Sequence, residues 1–197
     1  SLVGSEMCIR DRADDIRAIL AEHDRETTSI LMAQKVAAAF RNNGYDMVKS
    51  IDVGLRVGLA VLTEAVLVAP LEGISEVRLL SNLDGSSFVS VYFAGPIRAA
   101  GGTAQALAVL IADMIRRELG IDPYKPTDPE VERVKEEFGL FRGNLQYRPS
   151  PAEIEEIVRA CPIMINGEST ERIECAGYGR VRNVDDTRIR GGVLLVI

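Results

Sequence analysis

At 197 residues the chain is long enough to bury a substantial core in one or two domains. Its 47% hydrophobic and 26% charged content is that of an ordinary soluble protein. A formal net charge of −6 argues against a strongly basic nucleic-acid module, yet leaves room for DNA contact through a local arginine cluster or through domains of a longer protein.

In chain order, residues 1–12 (SLVGSEMCIRDR) have no periodicity, cap or partner for their apolar residues, and resemble translated sequencing adapter. They are set apart from the fold as a tag would be. Residues 13–69 read as a helical entry region. A short helix is expected over 14–21, and Asp24 caps a second that carries Ile30, Leu31, Ala33, Val36, Ala37 and Phe40. A third, over 50–67, places Leu55, Leu59, Leu62 and Val66 at helical spacing, with Gly54 and Gly58 four residues apart for close helix packing. Arg56 and Glu64 interrupt that helix, which argues against a membrane span. His23 is the only histidine; between charged residues at a helix boundary it reads as solvated, not catalytic.

Residues 70–197 read as an α+β region. Strands are expected over 76–80 and 86–94, joined at Asp84-Gly85, a hairpin signal. Glu64 and Glu72 invite an acid/base pairing, but nothing sets them opposite one another and solvated carboxylates are the expectation. The second strand runs into Gly95-Pro96, then Arg98-Ala99-Ala100-Gly101-Gly102-Thr103, then a helix over 103–119. That helix is apolar almost all round as far as Ala112 and is expected to be buried. Beyond it Arg116, Arg117 and Glu118 are expected to face water, and Gly120 to form the left-handed cap. A glycine-rich turn opening a helix gathers free N–H groups where the helix dipole favours an anion, and Arg98 adds a guanidinium. The same turn also serves close packing alone, with Thr103 as N-cap. Spacing leaves both readings open, since neither a P-loop nor a GxGxxG pattern is present.

Thr127 or Asp128 caps the next helix, whose run Glu130, Glu132, Lys135, Glu136 and Glu137 is expected to form a solvated face. Ser150, Pro151 and Glu153 make a capping box, and a short strand follows Cys161-Pro162. Cys161 and Cys175 are too few for a zinc site and read as buried thiols. Three cysteines give no disulfide framework, so a reducing cytoplasm is the simplest compartment. Arg180, Arg182, Arg188 and Arg190 form the densest positive cluster, interrupted by Asp185 and Asp186. The chain stops inside an apolar run and is expected to be truncated there.

Four stretches carry a family resemblance: LTEAVLVAPLEGISEVRL, YFAGPIRAAGGTAQALAVLIADMIRRELGIDPYKPT, LQYRPSPAEIEEIVRACPIMINGEST and the closing TRIRGGVLLVI. Together they resemble the large subunit of archaeal family-D DNA polymerase, over about residues 29–197. Ala65 stands where the family pattern has glycine. The resemblance implies an N-terminal fragment of the polymerizing subunit of a replicative enzyme, with 3′–5′ exonuclease activity in the holoenzyme. It implies Mg²⁺ held by carboxylates further along the full chain, a small exonuclease subunit and primer-template DNA as partners, and no membrane. No Asp-x-Asp occurs in these residues, so no catalytic or metal-binding residue is expected here. The expected fold is α+β: N-terminal helices on a small antiparallel sheet, with a buried central helix and further short helices. The candidate phosphate- or DNA-binding residues are Arg98, Gly101, Gly102, Thr103, Arg188 and Arg190. A non-enzymatic interaction module, or a small metabolic enzyme holding a phosphorylated ligand at the glycine-rich turn, are the alternatives.

Overall fold

The helical entry is built on two capped helices, its second and third, that pack backbone to backbone. In the computed structural model, which describes residues 12–63, 73–94, 102–143, 145 and 147–197, α1 (Ala13–Leu20) leads into α2 (Arg25–Asn42) and α3 (Met47–Leu62). The Asp24 carboxylate accepts the Thr27 N–H at 2.7 Å, as the sequence predicts. Asp46 does the same for Lys49 at 2.8 Å, so α3 starts ahead of the expected Ser50. Gly54 and Gly58 lie against α2 so closely that a Cβ on Gly54 would stand 2.7 Å from the Ala33 carbonyl oxygen. Ser29 Oγ donates to the Gly58 carbonyl at 2.9 Å across the same contact. His23 is exposed in the turn between α1 and α2. Glu64, Ala65, Val66 and Glu72 lie outside the described residues.

The sheet is mixed, whereas an antiparallel one is expected from sequence. β1 (Ile74–Ser81) and β2 (Ser87–Phe93) form the antiparallel hairpin, with Gly85 at φ 84° and the Ser86 N–H donating to Asp84 Oδ1 at 3.0 Å. β3 (Met164–Gly167) joins β2 in parallel, pairing Ser90 with Met164 and Phe93 with Gly167. A helical crossover makes that parallel pairing possible, and strand orientation leaves no trace in the alternation of side chains. The crossover holds α4 (Gly102–Glu118), α5 (Asp128–Leu140) and α6 (Pro151–Ala160); α7 (Gly191–Val196) comes after β3.

Alternation along β2 divides the core. Val89, Val91 and Phe93 face the helices and join Ala33, Leu55, Leu59, Ile111 and Ile115 in the main cluster. That cluster takes residues from both the helical entry region and the α+β region. Phe88 faces the other way, ring to ring with Tyr124 at 4.8 Å. A second cluster ties α5, α6 and α7 together through Val131, Phe138, Ile154, Ile189 and Val193.

Helix α4 is buried on one side only. Leu110 is 46% exposed and Ala106 faces outward, so the apolar run does not mean burial all round. Arg116, expected in water, is buried: it bonds Asp113 Oδ1 through Nε at 2.8 Å and the Ile121 carbonyl through Nη1 at 2.8 Å. Its i, i+3 carboxylate and the carbonyl beyond the helix end supply what water would. Gly120 takes the expected left-handed cap at φ 67°. At α6 the expected capping box is present, with Ser150 N–H donating to Glu153 Oε2 at 2.7 Å. Among the described residues no helix is long and apolar enough to cross a membrane.

Candidate nucleic-acid interface

The candidate residues come from two separate stretches of the chain, the glycine-rich turn and the segment holding Arg188 and Arg190. Arg98 and Gly101 lie outside the described residues. Gly102 is the first residue of α4 and Thr103 the second, so Thr103 sits inside the first turn instead of capping it. Three residues after Gly102, Gln105 is buried at 1% exposure, and neither its Nε2 nor its Oε1 has a hydrogen-bond partner among the described residues. A buried amide with both ends unmet is rare enough to require an explanation.

A polar cleft of about 370 Å³ opens over the carboxyl ends of the parallel strands β2 and β3. Arg78 and Tyr92 line it, the guanidinium 4.3 Å from the ring centroid, together with Glu168, Asp185, Asp186 and Arg188. Four carboxylates line it against three guanidiniums, which is no basic cradle. Arg188 is exposed and bonds Asp186 Oδ2 through Nη2 at 2.9 Å. That guanidinium holds the Asp186 carboxyl far below the usual carboxylate range, and the carboxylate in turn strengthens the protonation of Arg188.

Arg190, two residues on, is put to internal use. At 2% exposure it bonds Glu137 Oε1 through Nε at 2.9 Å, Glu137 Oε2 through Nη2 at 3.1 Å and Asn166 Oδ1 through Nη1 at 2.8 Å. Burial weakens its charge, but the facing Glu137 outweighs that and leaves it more firmly protonated. Glu137 also takes the Arg133 Nε at 2.9 Å. Arg133 reaches on to the carbonyls of Tyr178 at 3.1 Å, Arg188 at 2.8 Å and Gly179. Glu130 closes the group, accepting from Asn183 Nδ2 at 3.0 Å and from the Thr127 N–H at 2.8 Å. The run expected as a solvated face is therefore split. Glu130 and Glu137 are buried, because the segment 168–190 folds over that side of α5 and brings Arg190 and Asn183 to meet them. The spacing of Glu130, Arg133 and Glu137 at i, i+3 and i+7 is the signal that one face was shared.

Cys175 is buried, and desolvation pushes its thiol up to about 11; Cys161 is half-buried, with Sγ 3.0 Å from the Ile163 carbonyl oxygen. Among the described residues no three His, Cys, Asp or Glu side chains gather as a metal-binding group.

The chain matches the family described as DNA polymerase II large subunit DP2, N-terminal, over residues 2–197. It is similar to the DNA polymerase II large subunit of Thermoplasma acidophilum, 47% identical over 191 residues, which is 96% of this chain and 17% of the relative. The corresponding proteins of Thermoplasma volcanium and Methanocella arvoryzae are each 48% identical over 187 residues, 94% of this chain. Those matches take in 17% and 16% of the respective relatives, so the chain spans less than a fifth of the length of each.

Proposed function

Since the chain belongs to the family of the DNA polymerase II large subunit, N-terminal part, we propose that it serves as scaffold and DNA-facing surface in the polymerizing subunit of a replicative archaeal DNA polymerase. The observation that carries this reading is the match itself, almost the whole of this chain against a small part of each polymerase subunit. The full-length enzyme adds deoxynucleotides to a primer, with Mg²⁺ bound by carboxylates elsewhere in the subunit and stabilising the attacking and leaving oxygens. It works in the cytoplasm with a small exonuclease subunit and primer-template DNA.

Within this part, Arg98 and the Gly101-Gly102-Thr103 turn face the DNA backbone. Support comes from the position of Gly102 at the start of a 17-residue helix, whose first N–H groups have no partner within the helix. The unmet carboxamide of Gln105 stands one turn further in. Arg188 exchanges Asp186 for a phosphate when DNA is present, while Arg190 holds the supporting segment from within.

The test is Arg98→Ala in the assembled two-subunit enzyme. It weakens primer-template binding, and the slope of log affinity against log salt falls by about one. Unchanged affinity and slope with a lowered melting temperature would make Arg98 a structural tether and end the DNA-facing reading.

A further inference from the structure

Among the described residues, strand β1 forms one edge of the sheet and no strand pairs with its outer side. The Asn82 N–H donates to the Ser86 carbonyl at 2.8 Å across the hairpin. Antiparallel alternation then turns Arg78 and Leu80 toward β2 and Val77, Leu79 and Ser81 outward. The Ser81 carbonyl agrees with this, since it accepts from Arg182 Nη2 at 3.1 Å on the outer side. At the other end the Ile74 carbonyl accepts from Arg56 Nη2 at 3.1 Å. Between these two arginines, the backbone groups of Val77 and Leu79 that point outward have no partner among the described residues.

A groove of about 370 Å³ runs beside this edge, with Ser75, Glu76 and Val77 on one wall and Lys49, Asp52 and Arg56 of α3 on the other. Leu79 and Leu80 lie on opposite faces of the strand, and both are half-buried against the main core and the Phe88 cluster respectively. An apolar pair covered from one flank on both faces is the state of an interior strand that lacks its neighbour. Glu76 and Arg78 of the same strand pair with each other, leaving Val77 and Leu79 as the apolar residues of its outward-facing set.

We propose that an extended segment from the remainder of the full-length subunit adds to β1 as a fourth strand, seated between β1 and α3. The matched part is 17% of the Thermoplasma acidophilum relative, so most of such a subunit lies outside this chain. A segment tethered to the same chain also reaches the edge at high effective concentration. Main-chain bonds to Val77 and Leu79 supply the affinity, and completed burial of Leu79 and Leu80 sets the register. The inference rests on family membership and is independent of the DNA-facing reading.

Amide hydrogen exchange in the full-length subunit, alone and free of DNA, tests it. The amides of Val77, Leu79 and Ser81 exchange about tenfold or more slowly than unprotected surface amides there, approaching those of Arg78 and Leu80 in the β2 ladder. Fast exchange at Val77 and Leu79 in that subunit, with Arg78 and Leu80 protected, overturns the proposal. So does protection that grows with concentration, which assigns the edge to a second copy. Protection that appears only after the small subunit or DNA is added likewise overturns it.

Discussion

At the scale of single residues, the most heavily committed side chain is Glu137. Fully buried, it is the shared acceptor of two guanidiniums, Arg133 and Arg190, that are themselves almost fully buried. Taking its charge away leaves two cations in the interior without their counter-ion, which costs far more than the pair contributes when intact. Glu137→Gln is therefore expected to lower stability by about 3–5 kcal/mol, read as an earlier midpoint in urea denaturation. An unchanged midpoint would mean that water reaches the cluster. Arg190→Ala should cost stability in the same way and leave the salt dependence of DNA binding where it was, unlike Arg98→Ala. The sequence marks these arginines as charged and clustered but not as buried. Burial was hidden because it depends on residues 168–190 folding over α5, a contact between segments some fifty residues apart, such as Glu137 and Arg190.

At the scale of elements, local chemistry was legible and tertiary choices were not. Asp24, Ser150 and the Asp84-Gly85 turn act through neighbours two or three residues away, and each does in the structure what its local sequence implies. The parallel pairing of β3 with β2 and the exposure of Leu110 on α4 depend on how distant elements meet, and periodicity carries no record of that. The glycine pair in α3 lies between these cases: the spacing suggested close packing, and the structure supplies the partner. A methyl on Gly54 would stand 2.8 Å from Ala37 Cβ, and one on Gly58 2.9 Å from Ala33 Cβ. Gly54→Ala and Gly58→Ala are each expected to destabilise by about 1–3 kcal/mol through overpacking, despite the better helix propensity of alanine. Gly139, in α5, has open space where a Cβ would go, so Gly139→Ala should stabilise by about 0.5–1 kcal/mol. Thermal unfolding of the three variants side by side checks both signs.

At the scale of the whole molecule, a net charge of −6 and a cleft lined by more carboxylates than guanidiniums weigh against a broad basic contact surface, while internal arginines brace the fold. Of the candidate residues at the glycine-rich turn, Gly102 and Thr103 open the long helix that the sequence predicts, while Arg98 and Gly101 lie outside the described residues. Arg188 and Arg190 were legible only as a pair of like residues, and the structure sends one outward and the other into the core. The match to an N-terminal part of the subunit leads us to expect the catalytic carboxylates in other parts of it. Primer extension with Mg²⁺ and all four deoxynucleotides, run on this chain and on the assembled full-length enzyme, tests that most directly. Extension is expected from the full enzyme and no incorporation from this chain at any concentration; protein-dependent extension by this chain alone would place the catalytic carboxylates within it.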